Sequence, residues 1–308
     1  MRFSTVATAV TLLAAAGNAV AIGQLAFDLG AQGNSDGVCK TTADYVADFD
    51  TISSYSTIVR VYAASDCDTL ENIGPALEET GFQAFIGVWP TDDTHYAAEK
   101  AALSAYLPTI DPSNILAITV GSEALYRGDL TAAELATKID EIRTLVQAIS
   151  GYESMPVGTV DSWNILVDGS NVAAIEASDI LFANAFSYWQ GQTMANSSHS
   201  FFDDIMQALQ VIQTSKGSTD IEFWIGETGF PTDGGNYGSS YPSVDNAAEF
   251  WQEAICGIRG WGVNTIVFEA IDEAWKPATS GVEGVENHWG VWESDSVSPK
   301  YDLTCSFS

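Results

Sequence analysis

Ile115-Leu116-Ala117-Ile118-Thr119-Val120-Gly121-Ser122-Glu123 and the residues up to Ile149 decide the fold. Ile115–Val120 is an apolar run with no polar face, the pattern of a parallel strand buried on both sides. After a short polar stretch, Thr131 and Glu134 form a capping box that starts a helix. Leu135, Ile139, Ile142, Val146 and Ile149 then fall on one stripe at helical spacing. Together these make one β/α unit, with an acidic residue where the strand ends.

The unit recurs on either side. Strand-like runs lie at Gln24–Leu29, Thr57–Ala63, Gln83–Trp89, Met155–Val160, Ile180–Phe186, Ile221–Gly226 and Val263–Ala270. Helical patterns lie between them, at Thr69–Thr80, Asp203–Ile212 and Asn246–Ile258 among others. With Ile115–Val120 there are eight runs, which predicts a single-domain α/β fold, the (β/α)8 TIM barrel, over residues 22–308. A doubly wound open sheet is the competing arrangement. It usually carries GxGxxG after its first strand, and that motif is absent here.

Residues 1–21 read as a signal peptide. Arg2 gives a basic start, Val6–Ala16 is a short apolar run, and Ala19-Val20-Ala21 is a small-x-small cleavage site. Secretion is the expectation, and no later segment is long and apolar enough to span a bilayer. A formal charge of −30 argues against nucleic acid or an anionic membrane as partner and disfavours a polyanionic polymer. A neutral polysaccharide is compatible, and a monomer is expected.

Four cysteines, Cys39, Cys67, Cys256 and Cys305, allow three pairings. Cys39–Cys67 would join loops after neighbouring strands, and Cys256–Cys305 would tie the tail to a late helix. No CxxC or HxxxH spacing points to a metal. The three histidines (His95, His199, His288) stand isolated in the sequence. Asn196-Ser197-Ser198 is a glycosylation acceptor.

In a barrel, the strand C-termini converge on one mouth, and function gathers there. Glu123 ends the fourth run. Glu227 ends the seventh, within Gly226-Glu227-Thr228-Gly229-Phe230-Pro231. Glycosidic cleavage uses such a pair: one carboxyl protonated for the leaving oxygen, the other ionised beside the anomeric carbon. Two neighbouring acids separate their roles, because one negative charge raises the pKa of the other. Two capping or salt-bridged glutamates would be the plainer account, but matched strand ends disfavour it.

Val120-Gly121-Ser122-Glu123 and Gly226-Glu227-Thr228-Gly229-Phe230-Pro231-Thr232 resemble the two signatures of glycoside hydrolase family 17. The resemblance is to fungal cell-wall β-1,3-glucanases and glucanosyltransferases, over nearly the whole chain after the leader. Arg60-Val61-Tyr62, Asn184–Trp189, Phe268–Lys276, Glu286–Trp292 and Ser298–Tyr301 fit the same pattern. The resemblance implies Glu123 as general acid/base, Glu227 as nucleophile, retention of configuration, β-1,3-glucan as substrate and no cofactor. It also implies a supporting cluster of Glu273, Lys276 and Glu286. Ser122 departs from the asparagine common in relatives, and Phe230 from their tryptophan.

Aromatic residues at the predicted strand ends, Tyr62, Trp89, Trp163, Tyr188, Trp189, Phe230 and Trp275, offer faces for sugar rings. Tyr188 is the first choice, because its motif resembles the family's sugar-binding segment. Asn184 and Asp161 are candidates for sugar hydroxyls. Asp28 is a candidate for sugar or for Arg60. A non-catalytic glucan-binding wall protein on the same barrel is the second reading, and the presence of both glutamates argues against it.

Overall fold

The computed structural model describes residues 21–307; residues 1–20 of the expected leader lie outside them. Eight parallel strands close a barrel in chain order: β1 (Leu25–Asp28), β2 (Ile58–Val61), β3 (Gln83–Val88), β4 (Ile115–Ser122), β5 (Val157–Ser162), β6 (Ile180–Asn184), β7 (Glu222–Thr228) and β8 (Asn264–Val267). Pairing of Leu25 with Thr265 and Phe27 with Val267 joins β1 to β8 and leaves no free edge.

Helices α1 (Thr42–Ile52), α2 (Thr69–Thr80), α3 (Asp93–Tyr106), α4 (Ala132–Gln147), α5 (Trp163–Leu166), α6 (Val172–Ala177), α7 (Met194–Lys216), α8 (Val244–Phe250) and α9 (Cys256–Gly260) lie along the chain between the strands. The capping box of α4 forms as its sequence predicts, and Leu135, Ile139, Ile142 and Val146 are buried. No described helix is long and apolar enough to cross a membrane.

The barrel interior changes character along its axis. Ala26, Phe85, Ala117, Val160, Phe182, Trp224 and Ile266 form a separate buried cluster. Phe85 meets Phe182 and Trp224 edge-on at 5.1 and 4.9 Å, which closes the lower barrel. Strand side chains alternate, so the next inward positions lie two residues on. Two residues on from Ala26, Ile58, Ala117 and Phe182 the chain places Asp28, Arg60, Thr119 and Asn184, all buried, so the apolar plug is followed by polar side chains.

Register shifts interrupt the ladder between Thr119 and Ser122, between Ala183 and Asn184, and between Ile225 and Thr228. Bulges re-aim side chains, and these fall where β4 and β7 deliver their glutamates. Both expected disulfides are present, Cys39–Cys67 and Cys256–Cys305. The first ties the β1 and β2 loops beside the mouth. In the loop-entropy model each is worth roughly 4 kcal/mol.

Candidate active site

Glu227 sits at the centre of a buried charge network. Arg60, itself 1% exposed, donates from one guanidinium nitrogen to Glu227 Oε1 at 2.8 Å and to Asp28 Oδ1 at 3.0 Å. Its other terminal nitrogen donates to Ser122 Oγ at 3.1 Å, and the Ser122 hydroxyl donates to Glu227 Oε1 at 3.1 Å. Burial works against the Arg60 charge, but Asp28 and Glu227 outweigh it and push its pKa up. Asp28 is pushed well above the usual carboxylate range by burial, which the Arg60 charge only partly offsets.

Glu123 is held differently. Gly121 and Glu123 both take left-handed backbone conformations, at φ +82° and +56°. For a residue with a Cβ this conformation is strained, and such strain gathers at functional positions. The Glu123 amide donates to Val160 O at 2.9 Å, so the turn is pinned to β5. Asn184 Nδ2 donates to Glu123 Oε1 at 3.1 Å. A Cβ at position 226 would stand 2.6 Å from Asn184 Oδ1, so Gly226 admits that amide. Burial first, and the Glu227 charge second, push the Glu123 carboxyl up to about 7, against the opposing Asn184 hydrogen bond.

The two glutamates line one cleft of about 500 Å³. Tyr126, Ser162, Trp163 and Asn164 wall it from the β4 and β5 loops. Phe186, Trp189 and Gln190 follow β6, and Phe268, Glu286 and Trp289 follow β8. Asn184 lines the same cleft. Trp189 packs on Trp289 and Tyr237, with ring centroids 6.0 and 5.3 Å apart.

Several predicted sugar contacts are corrected. Tyr188 is fully buried, and its hydroxyl donates to Gly235 O at 2.6 Å; Trp189 turns to the cleft in its place. Phe230 is 3% exposed and packs against Phe250 and Tyr188. Asp161 is buried and accepts from the amides of Leu125, Tyr126 and Ser162, so it holds the β4 loop. Burial raises Asp161 to about 6 despite these bonds. Of the two readings of Asp28, the Arg60 partner is the one present, and Ser122, in place of the relatives' asparagine, serves Glu227 and Arg60.

Tyr62 is half-buried with its ring against the Arg60 guanidinium at 4.6 Å, and Trp89 lies under Arg127 at 4.8 Å. Glu273 pairs with Lys276 at 2.5 Å and neither lines the cleft, while Glu286 does. Burial raises Glu286, with Lys276 opposing. Asn196 is exposed in the first turn of α7. His95 is not isolated: its Nε2 lies 2.8 Å from Asp66 and 3.0 Å from Glu99.

Sequence reasoning passes over Arg60 as a site residue, and also Tyr126, Gln190 and Glu269. Arg60 is legible as a basic residue inside an apolar strand. Glu269 is 3% exposed with one carboxyl oxygen unpartnered, and burial, followed by Glu273, pushes it well above the usual range.

A closed parallel barrel with two carboxyl groups in one aromatic-walled cleft over its strand ends is the layout of a glycoside-cleaving enzyme. The model of glycosyl hydrolases family 17 matches residues 25–305, and the chain belongs to that family. It is 62% identical over 315 aligned positions to a glucan 1,3-beta-glucosidase of Saccharomyces cerevisiae, covering 100% of both chains. A glucan 1,3-beta-glucosidase of Candida albicans is 56% identical, with 99% of this chain and 98% of that one covered. Among solved structures, an active-site mutant of Rhizomucor miehei beta-1,3-glucanosyltransferase in complex with laminaritriose superposes with a TM-score of 0.78. It shares 28% identity, with 92% of this chain and 98% of that one covered.

Proposed function

We propose that this protein is a secreted, retaining β-1,3-glucan-active enzyme of the cell wall, with Glu227 as nucleophile and Glu123 as general acid/base. The observation that carries it is the unequal setting of two carboxyls in one cleft. Glu227 has a cationic partner in Arg60, and Glu123, raised to about 7, has none within hydrogen-bonding distance among the described residues. A general acid must hold its proton at working pH, and a nucleophile must not.

In the first step, the Glu227 carboxylate attacks the anomeric carbon of a glucosyl unit. The C–O bond to the leaving sugar breaks, and that oxygen takes the Glu123 proton. The result is a glycosyl ester on Glu227 and a free glucan end. In the second step, ionised Glu123 takes a proton from an incoming hydroxyl. That oxygen attacks the same carbon and releases Glu227. Water as acceptor gives hydrolysis, and a glucan hydroxyl gives transfer. Aromatic residues from the β4, β5, β6 and β8 loops line a cleft of about 500 Å³, a size that suits donor and acceptor sugars. We read the acceptor as mainly glucan.

The leader, residues 1–21, would be removed, leaving one catalytic domain at 22–308 that acts as a monomer. The functional test is product analysis with reduced and unreduced laminari-oligosaccharides, followed by proton NMR and chromatography. The β-anomer should appear first, together with products longer than the starting oligomer. Initial release of the α-anomer would overturn retention. No cleavage or transfer at any pH would favour a glucan-binding protein without catalysis.

A further inference from the structure

Gln190 belongs to the cleft wall, yet its amide is tied to a buried network behind that wall. Its Nε2 donates to Asp204 Oδ2, and its Oε1 accepts from the Ser200 hydroxyl, both in short contacts. Asp204 and Ser200 stand one turn apart on α7, 5% and 9% exposed. With Asp204 ionised, these partners fix which end of the amide is nitrogen and which is oxygen, since a carboxylate only accepts. The loop carrying Gln190 is anchored further by the Ser187–Ser197 hydroxyl contact and by Gly191 N, which donates to Tyr188 O at 2.9 Å.

A primary amide has two N–H donors and two acceptor lone pairs. Asp204 and Ser200 use one of each. One donor and one lone pair remain on a half-buried side chain beside Trp189. That pairing suits adjacent hydroxyls of a glucopyranose, each of which gives and accepts a hydrogen bond. A side chain already locked loses little rotamer entropy on binding. Burying an acidic residue is costly unless it is hydrogen-bonded, and Gln190 is the side chain that bonds Asp204; burial raises Asp204 to about 7, with the Gln190 bond opposing.

We propose that Gln190 is a substrate-binding, specificity-determining residue of the cleft, reading a pair of hydroxyls on one glucosyl unit, and that Asp204 is its positioning residue. This rests on the glucan-active reading of the same cleft. It adds that recognition there depends on an amide whose orientation is set from α7, and that the β6 loop contributes polar selection as well as an aromatic face.

The test is steady-state kinetics on laminari-oligosaccharides with wild type, Gln190→Ala, Asp204→Asn and Asp204→Ala. The asparagine introduced by Asp204→Asn can still accept from the glutamine amide, whereas the alanine of Asp204→Ala cannot. Gln190→Ala should raise KM about tenfold with kcat within about threefold, the pattern of a lost binding contact. Asp204→Ala should shift KM in the same direction, and Asp204→Asn should restore nearly wild-type KM. Wild-type KM in Gln190→Ala would overturn the proposal, as would an Asp204→Asn variant no better than Asp204→Ala. If Asp204→Ala fails to fold, Ser200→Ala takes its place, with a smaller KM rise expected and an unchanged KM contradicting the proposal. A wild-type enzyme inert on these oligosaccharides would sink the functional reading itself; an active wild type with an indifferent Gln190 would sink only this inference.

Discussion

Glu123 and Glu227 occupy equivalent places, each at the C-terminal end of a barrel strand beside a bulge, yet the fold treats them in opposite ways. At the β7 end, Arg60 and Ser122 grip Glu227, and Asp28 backs the guanidinium. At the β4 end, Glu123 has one neutral amide, from Asn184, and its own backbone is left-handed. The lesson is that the role of a carboxyl is written in its neighbours. A cation within 3 Å suits an anion that must attack; burial without a cation suits an acid that must keep its proton.

Removing either partner tests this contrast. The largest effect belongs to Glu227→Ala, where turnover should fall by about four orders of magnitude or more. Added azide should restore some reaction and give an α-glycosyl azide, detectable by NMR. Recovery of a β-azide would break the assignment. Next comes Glu123→Gln. Natural glucan should lose about a thousandfold, while an activated aryl β-laminaribioside, whose leaving group needs no proton, should lose far less in the glycosylation step. An equal loss on both substrates in single-turnover measurements would remove the asymmetry between the two ends.

A smaller loss is expected from Arg60→Lys. One ammonium has no planar fork to serve Asp28, Glu227 and Ser122 at once. The expected result is a fall in kcat of about a hundredfold with little change in KM. Unchanged kcat would mean that Arg60 is only a barrel filler.

The smallest effect is on stability. Glu123 is raised from 4.5 to about 7 in the folded protein, so the folded state binds its proton more tightly than the unfolded chain. This group therefore favours folding below about 4.5 relative to above 7, and that advantage is lost as pH rises between them. Glu123→Gln removes the dependence. Compared with wild type, the variant should gain on the order of 2 kcal/mol between about pH 4 and about pH 8, after allowance for solvent screening. Urea unfolding at the two pH values measures it. An equal wild-type–variant difference at both would show that Glu123 is not perturbed.

The barrel was legible because buried parallel strands are apolar on both faces and the intervening helices carry stripes, as α4 does with its capping box. The two glutamates were legible because they fall directly after such strands. Orientation was not. Tyr188 and Trp189 are adjacent aromatics in one motif, but one is sealed beneath the loop and the other faces the cleft. A one-residue bulge decides such matters. Asp28 read equally well as a sugar ligand or as the partner of Arg60, and Asp161 read as a sugar ligand, until the Arg60 bond and the backbone amides were in view. Gln190 gave no signal, since the carboxylate that orients it lies fourteen positions further on, on another element.

The most direct test of the account is covalent trapping. A 2-deoxy-2-fluoro-β-laminaribiosyl fluoride should inactivate the enzyme with time and leave one glycosyl ester. Peptide mass spectrometry should find that mass on the peptide containing Gly226-Glu227-Thr228, and transfer to laminaribiose should restore activity. A label on Glu123, or on any carboxylate other than Glu227, would contradict the division of roles between the two strand ends.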